Sequence, residues 1–151
     1  MRMLPILLFT LLSSLPGLAV AASGQDAATA LAAAKSLRCV FKSATETNWE
    51  VGAYQTRPTT GFSFSIDAIK TAQGNAKAVS REGATHLEMI ALSKVRHFLG
   101  FAAGGDLNVT TVHGQFAGDE GGFLASHSVH MASQPPITFQ YFGNCLPISK
   151  N

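Results

Sequence analysis

Phe62-Ser63-Phe64-Ser65-Ile66-Asp67 decides the fold class of this chain. Large apolar residues at the even positions alternate with small or charged ones at the odd positions. That is the two-residue period of a strand with one face buried and one face wet. Arg57-Pro58-Thr59-Thr60-Gly61 breaks the chain before it, and Gln73-Gly74-Asn75 turns the chain after it.

The same reading extends in both directions. Upstream, Leu37, Cys39 and Phe41 alternate with Arg38, Val40 and Lys42, and Asn48 to Thr56 carries Trp49, Val51 and Tyr54 as a further strand. Downstream come Ala76–Arg81, Thr85–Leu92, Lys94–Ala102, Leu107–His113, Phe123–Met131 and the alternating Ile137, Phe139 and Tyr141. Polar turns separate them: Glu82-Gly83, Ala103-Gly104-Gly105-Asp106, the Gly-rich stretch 115–122 and Ser133-Gln134-Pro135-Pro136. Eight or nine short strands follow, with no long helical period after residue 36. The expected fold is all-β: a small antiparallel meander closed as a barrel, with a β-sandwich as the alternative. A two-residue turn at Gly104-Gly105 would pair Phe101 with Asn108, Leu99 with Thr110, His97 with Val112 and Arg96 with His113.

Ahead of the strands, Asp26 to Lys35 is Ala-rich, and Asp26 suits a cap, so a short N-terminal helix competes there with an unstructured lead. Ahead of that, Met1-Arg2-Met3 opens an apolar run from Leu4 to Val20 that ends in Ala19-Val20-Ala21. A basic start, an apolar middle and small residues at −3 and −1 form a secretory signal peptide, cleaved after Ala21. The rival, a membrane anchor, is weakened by Pro5, Pro16 and Gly17. The chain then divides into signal peptide 1–21, an Ala-rich lead 22–36, a β domain 37–146 and a tail 147–151. The product would be periplasmic or secreted, with no membrane span after cleavage.

In such a compartment Cys39 and Cys145 are expected to pair. The bridge would tie the first strand to the last, which favours a closed barrel. Composition agrees with one globular domain: 46% of residues are hydrophobic and 13% charged, which excludes a disordered chain. A net charge of +2 with scattered basic residues excludes an electrostatic nucleic-acid binder.

Chemistry-bearing residues are few. Five histidines stand out: His86, His97, His113, His127 and His130. A metal-binding reading would use His113, His127 and His130, recruiting Asp119 or Glu120, and would hold a divalent cation. Strand parity opposes it, because positions i and i+3 face opposite sides, leaving His127 in the core and His130 on the surface. Ser126-His127-Ser128 makes no dyad, since neighbours on a strand point apart, and no Gly-x-Ser-x-Gly elbow occurs. A carboxylate pair for glycoside chemistry would have to come from Glu46, Glu50 and Glu88, which read as ordinary solvated charges, and no phosphate-binding glycine motif occurs. The aromatic residues Trp49, Tyr54, Phe62, Phe64, Phe98, Phe101, Phe116, Phe123, Phe139 and Tyr141 either fill the core or line a cavity. Trp49, Phe64 and Tyr141 are the candidate pocket residues.

Taken together, Cys39, Trp49, Asn108 to Val112, His127-Ser128-Val129-His130 and Tyr141-Phe142-Gly143-Asn144-Cys145 resemble a family of small exported proteobacterial proteins. Its pattern is a Cys-bearing first strand, a later Trp, a His-Ser-x-His segment and a Tyr-x-Gly-x-Cys end, covering most of residues 37–146. The resemblance implies a bacterial envelope location and brings no activity and no catalytic residues. The expected function is a non-enzymatic binding module for a small apolar ligand or an envelope partner, needing no cofactor. The alternatives are the histidine metal site and a hydrolase without a recognisable motif.

Overall fold

The computed structural model describes residues 24–117 and 122–148. The signal peptide expected at 1–21, Asp119, Glu120 and residues 149–151 of the expected tail lie outside the described residues.

The fold is an eight-stranded closed antiparallel barrel with one extra strand and a short helix, α1 (Gly24–Ala33). The strands are β1 (Leu37–Glu50), β2 (Ala53–Pro58), β3 (Phe62–Lys70), β4 (Asn75–Ser80), β5 (Gly83–Ala91), β6 (Val95–Phe101), β7 (Leu107–Phe116), β8 (Phe123–His130) and β9 (Ile137–Pro147). From β3 to β9 each strand pairs with the next, and β1 lies between β3 and β9 to close the ring. The barrel, and not the sandwich, is the arrangement these strands adopt. Closure leaves the ring itself without an unpaired edge.

β1 is long enough to do two jobs. Its first half, Leu37 to Phe41, pairs with β3. Its second half, Thr45 to Glu50, runs past the ring and pairs with β2, while β9 follows it along both halves. The result is a ribbon that projects from one end of the barrel. β1 slips register against β9 between Phe41 and Ser43, and glycines flank it there on both sides. A Cβ on Gly61 would fall 1.9 Å from the Phe41 carbonyl oxygen, and one on Gly143 would fall 2.0 Å from the Val40 oxygen. Only glycine lets β3 and β9 approach β1 at this bend.

Two expectations are corrected here. Asn48 to Thr56 is not one strand: Val51 and Gly52 form the turn between β1 and β2, with φ of +46° and +84°. The β6–β7 register is also one residue away from that expected. Phe101 pairs with Leu107, Leu99 with Val109, His97 with Thr111, and Arg96 with Val112. The loop has three residues, Ala103 to Gly105, closed by the Ala102 N–H donating to the Asp106 oxygen at 3.0 Å. Gly105 takes φ +92°, the left-handed position of such a loop. A one-residue slip exchanges the two faces of a strand. The observed register turns Thr110 and Val112 inward beside Phe98 and Arg96, where all four are buried.

α1 is no loose lead. It packs into the end of the barrel opposite the ribbon, where Ala27, Leu31 and Ala34 join a core with Leu37, Phe41, Ile66, Ile69, Phe98, Val112 and Phe123. Burying each large side chain of this kind is worth about 1.5–3 kcal/mol. Gly114 lets the helix in, since a Cβ there would meet Ala28 at 2.8 Å. Arg96, only 3% exposed, fixes the end of the helix. Its guanidinium donates to the Ala34 oxygen at 3.1 Å, the Ala32 oxygen at 2.7 Å and Thr71 Oγ1 at 3.1 Å. A cation at a helix C-terminus meets both the orphan carbonyls and the negative end of the dipole. Cys39 and Cys145 face each other across the β1–β9 seam near this same end and are disulfide-bonded, with Cα atoms 4.0 Å apart.

Candidate functional site

The other end of the barrel is open. Inward-facing side chains there are small: Ala78 and Ser80 on β4, Thr85 on β5, Gly100 on β6 and Asn108 on β7. Eight strands enclose a space that side chains fill only if they are large enough. These are not, and a cavity of about 540 Å³ remains. Its walls are Phe62 and Phe64 on one side, Leu87 and Phe98 on the other, with Thr110 and His127 between them. Arg81 and Glu82, on the β4–β5 turn, stand at the mouth.

His127 is the centre of an aromatic cluster. Phe62 and Phe64 stack nearly parallel, 5.6 Å apart at 9°. The imidazole meets both edge-on, at 5.2 Å and 5.5 Å, and has Phe41 at 5.7 Å and Tyr141 at 5.8 Å. Such tilted ring pairs are favourable beyond the area they bury. Its Nδ1 hydrogen-bonds Thr110 Oγ1 at 2.8 Å. The pair is set by register, because Thr110 and His127 lie directly opposite in the β7–β8 ladder. His127 is 6% exposed, and burial among rings holds its pKa down to about 4. The imidazole is therefore neutral at pH 7. Burial, and next Glu46, push the Tyr141 phenol up.

Of the pocket residues expected from sequence, Phe64 lines the cavity. Tyr141 stands behind the lining, edge-on to Phe62 at 4.7 Å. Trp49 is elsewhere: it sits on the ribbon, 42% exposed, edge-on to Tyr54 at 5.0 Å. The three histidines of the metal reading lie on two faces of the barrel wall. His127 points inward while His113 and His130 are exposed on the outer face, so the three do not converge. Among the described residues no group of three His, Cys, Asp or Glu side chains is placed to hold a metal.

Ser126 and Ser128 turn to the outside of β8, and Ser128 donates to Gln140 Oε1 at 2.7 Å. The imidazole thus has a threonine on one side and the rings of Phe41, Phe62, Phe64 and Tyr141 around it. What the cavity offers is apolar surface with a few neutral polar groups, and Arg81 and Glu82 at its mouth. Sequence reasoning missed Thr110, Asn108 and Arg81. The first two become visible as inward-facing only once the three-residue β6–β7 loop is recognised. The third is a mouth residue because the β4–β5 turn falls at the open end.

No protein-family model matches the chain, and no curated protein and no solved structure matches it.

Proposed function

We propose that this protein is a non-enzymatic binding module that holds a small apolar ligand inside its barrel. The observation that carries the reading is the cavity itself: about 540 Å³, walled by Phe62, Phe64, Leu87 and Phe98 and open at one end. That volume falls within the range of about 300–1,000 Å³ usual for small-molecule sites. The disulfide fits work in an oxidising compartment after export, in keeping with the signal peptide read from residues 1–21. No helix among the described residues is long and apolar enough to cross a membrane.

The test uses the neutral fluorescent probe N-phenyl-1-naphthylamine. The wild-type protein is expected to bind it with a rise in fluorescence. Gly100→Leu and Thr85→Trp each fill the cavity from a different strand and are expected to weaken binding at least tenfold while circular dichroism stays unchanged. A Cβ at Gly100 already lies 2.7 Å from the end of the Leu87 side chain, so any larger residue takes space from the cavity. Binding that persists undiminished in both folded variants would place the probe outside the barrel and end the proposal.

A further inference from the structure

The charges around the cavity restrict what can enter it. Among the described residues, Arg81 and Glu82 are its only formally charged lining residues, of opposite sign, adjacent in sequence and both exposed at the mouth. The interior side chains are apolar or neutral: Ser80, Thr85, Asn108, Thr110 and His127 supply the polar atoms. A charged group buried among them would have no counter-ion and would cost several kcal/mol in desolvation. The buried part of an occupant is therefore uncharged.

The rings restrict its shape. Phe62 keeps 38% of its surface exposed although it belongs to the aromatic cluster, and it lines the cavity with Phe64. An aromatic face left open to a cavity is matched by another ring, which loses less conformational freedom on binding than a flexible chain. The third restriction is the imidazole. Thr110 occupies Nδ1, which leaves Nε2 as the ring nitrogen that can meet an occupant. That nitrogen offers an occupant a hydrogen-bonding partner.

Resting on the cavity reading above, we infer that the ligand is an uncharged ring compound bearing one hydrogen-bonding group, seated against Phe62 and Phe64 with that group on Nε2 of His127.

Three probes of one ring skeleton separate the parts of this inference: naphthalene, 2-naphthol and 2-naphthoate, titrated at pH 7. 2-Naphthol is expected to bind about tenfold tighter than naphthalene, the effect of one buried hydrogen bond. 2-Naphthoate is expected to bind at least tenfold more weakly than 2-naphthol. His127→Phe keeps a ring in the cluster and is expected to erase the advantage of 2-naphthol over naphthalene, while His127→Gln retains part of it. The ranking of the three probes on the wild-type protein does not depend on either variant folding. Equal affinities for all three, or tightest binding of 2-naphthoate, would overturn the inference and leave the cavity reading intact. Failure of these probes and of N-phenyl-1-naphthylamine to bind would remove both.

Discussion

At the end that α1 fills, Leu31, Leu37, Val112 and Phe123 keep 2% or less of their surface exposed, and the disulfide lies beside them. At the other end Ala78, Thr85, Gly100 and Asn108 face inward around an open mouth. Both ends obey the same alternation, and each strand sends every second residue inward at both. The difference is residue size. Large inward residues and a helical plug make one half a core, and small inward residues without a plug make the other half a container. Period tells which residues face in; volume tells whether the inside is solid or hollow.

The comparison assigns stability to the plugged end and binding to the open one, and the disulfide is its sharpest test. Its loop spans 106 residues. In the chain-entropy model such a loop constrains the unfolded state by about 4–5 kcal/mol. The paired variant Cys39→Ser/Cys145→Ser is expected to lose roughly 3–4 kcal/mol in urea denaturation. Its folded fraction is expected to bind N-phenyl-1-naphthylamine as the wild type does, because neither cysteine lines the cavity. A loss below about 1 kcal/mol, or a parallel loss of probe affinity, would mean that the two ends are not divided in this way.

How much of this division was legible before the structure differs between the two ends. Phe62-Ser63-Phe64-Ser65-Ile66 fixes a strand and its inward face from sequence alone, and Cys39 and Cys145 point to closure. The cavity was not legible, because it depends on which small residues share a level of the barrel, and level depends on register. The Ala103–Gly105 loop decides that register for β7 through a single left-handed glycine. Reading the glycine pair as a two-residue turn hides Thr110 and Asn108. Trp49 was misplaced for a different reason: nothing in its alternation distinguishes a barrel strand from a ribbon that has left the barrel. His127 and His130 were separable by parity, and the aromatic cage around His127 required the strand order.

His127 lies where the solid half meets the hollow half, and its titration measures how dry that level is. Its folded pKa of about 4 lies below the ordinary histidine value of about 6.5. Well above pH 6.5 the imidazole is neutral in both states, and stability does not depend on its titration. As pH falls from 6.5 toward 4 the unfolded chain takes up a proton that the folded chain refuses, so stability declines. The decline should reach roughly 2 kcal/mol at pH 5 relative to pH 8. The difference between wild type and His127→Phe, followed by urea denaturation across that range, isolates this group from the other histidines. A difference that is flat between pH 7 and pH 5 would show that water reaches the imidazole freely, and the level would belong to the mouth.

The smallest effect is expected on the ribbon, farthest from the plug. Val51 sits at the tip of the β1–β2 turn, wholly exposed, with φ +46°, and Gly52 follows at +84°. Two left-handed central residues are what a type I′ turn requires, and Asn-Gly is the sequence that suits it. A β-branched residue in that conformation carries backbone strain of about 1–2 kcal/mol, while asparagine carries less. Val51 makes no packing contact that would be lost on replacement, since its surface faces solvent. Val51→Asn is therefore expected to raise stability by about 1 kcal/mol, with an unchanged urea m-value. Because the tip shares no partner with the disulfide, the gain should add to the loss in the cysteine variant within about 0.5 kcal/mol. Non-additivity beyond that would show the ribbon coupled to the seam through β1, which runs the whole way between them.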